Sequence, residues 1–191
     1  MKYGCAMLSM ALMCATFASA VAQDRDFENF LLNRHEAGDL KIGMAIDSVY
    51  PIYGDANIQL VDLRLEGQFS PAIRIFMDGG PDSAASLEAE IGCGKQYSWF
   101  IYRINVYDTR FITKEGIGIG STLGDVRKVY KVNWIDYGEG PLMAGVEDLE
   151  MTFELDLPIE NLPATWFELE DPGLIPDSVA VRSIVLYEFG R

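Results

Sequence analysis

The spacing of apolar and polar positions changes period several times along this chain, and each change predicts an element. Phe27, Phe30 and Leu31 recur at i, i+3 and i+4, which predicts a short helix over 24–36 stopped by Gly38. Ile46, Val49, Ile52 and Tyr53 share a second helical face, with Pro51 near the first turn and Gly54 as the stop. Alternation then takes over. The runs 58–63, 72–77 and 86–93 predict strands, the last with Leu87, Ala89 and Ile91 toward a core and Glu88 and Glu90 toward water. Gln68–Pro71 and Asp78–Asp82 predict turns. The aromatic run from Tyr97 to Tyr107 predicts a strand at the centre of a sheet, buried on both sides.

A third helix is predicted where Thr122-Leu123-Gly124-Asp125 matches the capping box. Leu123, Val126, Val129 and Tyr130 form its buried face, and Arg127 and Lys128 its wet one. A strand over 132–137 follows. Residues 149–156 alternate most cleanly: Leu149, Met151, Phe153 and Leu155 toward a core, Glu150, Thr152, Glu154 and Asp156 toward solvent. Four prolines make 158–176 a long loop or arm, and Ser178–Phe189 is the last strand.

The helix near 46 and the helix near 123 look like copies. Moving Ile42, Gly43, Ile46, Val49, Ile52 and Tyr53 by 77 residues places them on Ile119, Gly120, Leu123, Val126, Val129 and Tyr130. The pattern therefore predicts an α+β fold. It would be a tandem repeat of short helix plus antiparallel strands, in one continuous sheet or two abutting sheets. The modules would cover 23–108 and 109–191.

Composition changes the picture at the N-terminus. Lys2 is the one charge in residues 1–22, Met7–Phe17 is apolar, and small-residue sites follow at Ala18-Ser19-Ala20 and Ala20-Val21-Ala22. That order predicts a signal peptide and a periplasmic or secreted protein. Cys5 and Cys14 leave with it, so Cys93 stands alone and no disulfide framework is expected. Twenty-nine acids against fifteen bases set a formal net charge of −14. Such a field repels nucleic acid and anionic membrane and steers cationic partners. No further apolar run is long enough to insert in a membrane.

Gly43-Met44, Val49, Ile52 and Gly54, with Gly120, Val126 and Val129 in the later copy, carry a resemblance. The helix start followed by antiparallel strands resembles the repeat of the β-lactamase inhibitory proteins and of related small outer-membrane assembly lipoproteins. The chain departs from that pattern at Ala45, where threonine is usual, at Lys131, where the last glycine would be, and in lacking disulfides. The resemblance implies a protein-binding module without catalytic residues, acting through loops and a sheet face.

Catalytic signals are sparse. Cys93 between two glycines could be a nucleophile only if His35, the single histidine, met it; a small buried hydrophobe is the simpler account. His35 at the end of the 24–36 helix would offset its dipole. Gly116-x-Gly-x-Gly120 lacks the spacing and the lysine of a phosphate loop and reads as a close turn. The acids at 147, 148, 150, 154 and 156 match no calcium loop, and a carboxylate pair for glycoside hydrolysis stays open without a pair to choose. No metal or cofactor is expected.

Binding candidates are aromatics and acids: Trp134, Tyr137, Trp166, Phe167, Glu150 and Glu154. Trp166 and Phe167 in the arm fit either a binding anchor or a staple to the core. The expected function is an exported, non-catalytic module holding a protein partner, a cationic one by charge. A small-molecule or glycan carrier lined by Tyr97, Trp99 and Tyr102 comes second, and a carboxylate or thiol hydrolase third.

Overall fold

Among the described residues eight strands lie side by side, and one unbroken row of apolar side chains crosses them all. The strands are β4 (Ile58–Leu65), β5 (Gln68–Ile75), β6 (Leu87–Cys93), β7 (Trp99–Val106), β9 (Trp134–Tyr137), β10 (Leu142–Val146), β11 (Met151–Leu155) and β12 (Val181–Tyr187). Their order is β4-β5-β6-β7-β12-β11-β10-β9, antiparallel at every junction. The row runs Ile58, Ile75, Leu87, Val106, Ile184, Phe153, Ala144, Ile135. Period-two alternation puts every second residue on the same face. Ile73, Ala89, Ile104, Leu186, Met151 and Val146 therefore make a neighbouring apolar row, and all are buried.

Two four-stranded meanders build this sheet and meet at β7 and β12. A minor sheet of β1 (Leu31–Asn33), β2 (Glu36–Ala37), β3 (Leu40–Lys41) and β8 (Ile112–Thr113) contributes Leu32, Ala37 and Leu40 to the same core. Its β1–β8 pair is parallel. The computed structural model describes residues 29–65, 68–94, 98–137, 140–162, 164–166 and 171–188. Residues 1–22, expected to be a signal peptide, and Phe27, Tyr97 and Phe167 lie outside the described residues.

The α+β expectation is corrected: the fold is mostly β. Among the described residues one helix exceeds a single turn, α2 (Leu123–Val129). Where a matching helix was expected near 46, the chain makes a 3-10 turn over Ile46–Ser48 and one helical turn, α1 (Tyr50–Tyr53). Pro51 falls in the first turn of α1, as its missing N–H demands, but Gly54 at φ +80 stops the segment before a second turn forms. A helix-plus-strands unit is thus not repeated. The helix expected over 24–36 is absent from its described part, where β1 and β2 form a hairpin and β1 adds to β8. Tertiary pairing overrides the weak helical spacing there.

Other local expectations fare differently. Thr122 caps α2 as expected: its hydroxyl accepts from the Asp125 amide, and the Asp125 carboxylate accepts from the Thr122 amide. Leu123 and Val126 are buried, but Val129 is 46% exposed because α2 ends there. Gln68–Pro71 belongs to β5 rather than to a turn. Pro71 is tolerated because the β5–β6 ladder ends at Ala72–Glu90, so the missing N–H removes no bond. β11 starts only at Met151, since 147–149 is a 3-10 turn and Glu150 adopts φ +50.

Candidate functional site

The face opposite the core carries the chemistry. Its central row runs Gln59, Arg74, Glu88, Asn105, Val185, Thr152, Gly145, Trp134, one residue from each strand. The next row places Glu90 beside Arg103 and Tyr187. Arg74 Nε donates to Glu88 at 2.8 Å, and the Tyr107 hydroxyl donates to the other Glu88 oxygen at 3.4 Å. Arg103 donates to Glu90 at 3.1 Å, and the Tyr102 hydroxyl donates to the same carboxylate. The Arg103 guanidinium also stands 5.7 Å from the Tyr102 ring centroid. On the other half, Glu154 accepts from Arg182 and Ser183.

Glu88 and Glu90 are only 6% and 2% exposed. A carboxylate is buried at heavy cost unless paired, and here cross-strand arginines and phenols pair it. The expected wet face of β6 therefore carries buried carboxylates held by arginines that keep part of their surface in water. Burial, followed by the Glu88 charge, pushes the Tyr107 phenol up to about 12. Burial and the Glu90 hydrogen bond raise Tyr102 as well. Both phenols stay neutral donors at any physiological pH. Beside these pairs a cleft of about 420 Å³ opens between Gln59, Arg74, Phe76, Pro81, Glu88 and Tyr107.

The sequence candidates are scattered over this architecture. Trp134 lies on the open face, its indole packed over Gly145, where a methyl group would collide with the ring. Glu154 shares that face. Tyr137 is half-buried against the core edge. Trp166 is 4% exposed and belongs to the core cluster, so of the two roles left open it takes the staple. Arg127 of α2 holds the same arm by donating to the Ile175 and Pro172 carbonyls. The expected carrier pocket does not gather. Trp99 opposes Cys93, while Tyr102 turns to Glu90 on the other face.

Glu150 is not a solvent-facing binding residue. It is buried and accepts from Arg34 and from His35, both in the β1–β2 turn, so it clasps the minor sheet to the major one. His35 sits at φ +67 in that turn rather than at a helix end. Engaged with Glu150, it is no base for Cys93, which is exposed at the end of β6 rather than buried. The Arg34 hydrogen bond, with His35 adding to it, lowers the Glu150 pKa below its usual 4.5. A carboxyl with a depressed folded pKa adds stability that is complete above the unfolded value. That stability is lost as pH falls through the folded value. Denaturant melts should thus show stability declining once pH drops below about 4.5, and Glu150→Gln should flatten that decline.

Arg74, Glu88, Glu90, Arg103 and Tyr107 were missed as a site. The available signal was charge of opposite sign at alternating positions of consecutive strands, which becomes a ladder only once the register is known. Among the described residues no group of three or more His, Cys, Asp or Glu could hold a metal ion, and no helix is long and apolar enough to cross a membrane.

No family model matches the chain, and no curated protein does. Among solved structures it is similar to the crystal structure of the uncharacterized protein yfeY from Escherichia coli, at a TM-score of 0.59 and 13% identity. The match covers 83% of this chain and 99% of that one. At that identity the likeness shows a shared fold alone.

Proposed function

We propose that this chain is an exported, non-catalytic protein-binding module, periplasmic or secreted, that holds its partner on the open face of the large sheet. The observation that carries this reading is the cross-strand row from Gln59 to Trp134. Its Arg74–Glu88 pair, and the Arg103–Glu90 pair of the next row, are already hydrogen-bonded across strands, so a partner meets side chains whose ordering cost has been met before binding. Aromatic and arginine side chains of this kind form binding hot spots. The net charge of −14 favours a cationic partner.

The test is capture by the immobilised mature chain from envelope extract and culture medium, with elution by rising salt. One protein should elute with salt, and Trp134→Ala and Tyr107→Ala should each weaken its binding by about tenfold or more. A Val129→Ala control on α2 should leave it intact. Capture that survives every open-face substitution would remove the face from consideration. The cleft beside Arg74 and Tyr107 supports the second reading, a small-molecule or glycan carrier. A ligand that raises the melting temperature, and fails to do so in Tyr107→Ala, would favour that carrier.

A further inference from the structure

Among the described residues β4 ends the large sheet, and its outer edge pairs with no other strand. Natural edge strands are kept short, bulged, or marked with proline or charge, lysine above all, to prevent pairing with another sheet; the charges on β4 are Asp62 and Arg64, of opposite sign. β4 is eight residues long, pairs with β5 at every position without a register shift, and contains neither proline nor lysine. The opposite edge, β9, has four residues. On β4, Leu60 is 67% exposed, and beside it on β5 Phe69 is 73% exposed. Both lie on the same side of the sheet, since Leu60 pairs with Ile73 and Phe69 with Arg64.

The polarity of this edge is known. The Phe76 amide donates to the Asn57 carbonyl at 2.9 Å, so odd-numbered residues of β4 direct their main-chain groups to β5. The amides and carbonyls of Ile58, Leu60, Asp62 and Arg64 therefore point outward. Two such edges can join antiparallel about a two-fold axis normal to the sheet, provided that even-numbered residues face even-numbered ones. Four registers keep five or more residues of β4 overlapped. An axis at Leu60 sets Asp62 against Ile58 and leaves Arg64 beyond the overlap, so neither charge is met. An axis at Asp62 sets Asp62 against its own copy, which like charge disfavours. An axis at Val61 sets Leu60 against Asp62 and Ile58 against Arg64, which satisfies neither charge. An axis at Leu63 sets Asp62 against Arg64 on both sides and Leu63 against itself. Among the described residues neither Asp62 nor Arg64 takes part in an ion pair within the chain.

We propose that the β4 edge is a dimer interface whose occupant is the β4 edge of a second copy, in the register centred on Leu63. In that register each Asp62–Arg64 pair exchanges its main-chain hydrogen bonds and closes a salt bridge across the axis. Because the axis is normal to the sheet, both open faces point the same way, and a dimer presents a partner with a doubled surface.

Sedimentation equilibrium over a wide concentration range tests this. The wild-type mass should double with concentration. Asp62→Arg alone and Arg64→Asp alone should each remain monomeric where the wild type is dimeric. An equimolar mixture of these two variants should recover the doubled mass, because each chain then supplies one sign of charge. Circular dichroism checks that each variant is folded. Register is tested independently in a chain whose native cysteines are serine. Leu63→Cys should cross-link to its copy under mild oxidation, since opposed residues of a non-hydrogen-bonded pair lie within disulfide reach, and Val61→Cys should not. A wild-type chain monomeric at about millimolar concentration, with Leu63→Cys uncross-linked, would overturn the proposal. So would a dimer indifferent to both charge reversals, or one cross-linked through Val61→Cys in preference to Leu63→Cys.

Discussion

Trp166→Ala is expected to cost about 3–5 kcal/mol of folding stability while leaving binding per folded molecule unchanged. The indole is buried in the core cluster with Leu162 and Ile175, on the arm that Arg127 ties to α2. Removing it deletes a large apolar area and leaves a cavity that the proline-rich arm is poorly placed to refill. Urea denaturation measures the loss directly, and the midpoint should move with little change in slope. Partner capture, corrected for folded fraction, should equal wild type. A stable Trp166→Ala protein that failed to bind would instead return the arm to the binding surface.

Gly145→Val is expected to be the most damaging single change on the open face, at about 1–3 kcal/mol or more. Gly145 sits between Thr152 and Trp134 in the central row, and the Trp134 indole occupies the space above its α-carbon. Any side chain there must lift the ring. The lift exposes apolar surface on β9, the short edge strand. Tryptophan fluorescence should shift to longer wavelength, and affinity for a partner held by the open face should fall together with stability. In Trp134→Ala the collision disappears, so adding Gly145→Val to that background should cost much less, and the double-mutant cycle reports the coupling.

Much of the sheet was legible because half-buried strands announce themselves by alternation. Met151, Phe153 and Leu155 are buried as their spacing requires, and the aromatic run lands on β7, fourth of eight strands among the described residues, but it is not buried on both sides, since Trp99 and Tyr107 stay exposed. The capping box at Thr122 was legible for a local reason: its partners are three residues apart. Features that depend on distant pairing were not. The Glu88 and Glu90 positions look like a solvated face until Arg74 and Arg103 arrive from neighbouring strands. Glu150 looks like one more exposed acid of β11 until the β1–β2 turn brings Arg34 and His35 to it across the whole chain. Trp166 could be read as anchor or staple, since hydrophobicity near prolines says nothing about which surface it covers. The apolar spacing near Ile46 misled because a four-residue turn and a full helix show the same i, i+3, i+4 signature over so short a span.

The junction of the two meanders also bears on how the chain folds. Every other ladder in the large sheet joins strands consecutive in sequence, whereas β7 and β12 pair residues such as Val106 and Ile184 from distant parts of the chain. Hairpin-type contacts form on the microsecond scale, but a long intervening segment must be ordered before the seam gains anything. Assembly should therefore proceed as two locally nucleated halves whose docking sets the overall rate. Until docking, the apolar inward row of β7 and its unpaired edge are open to solvent together, which makes the interval before seam closure the time of greatest vulnerability to aggregation.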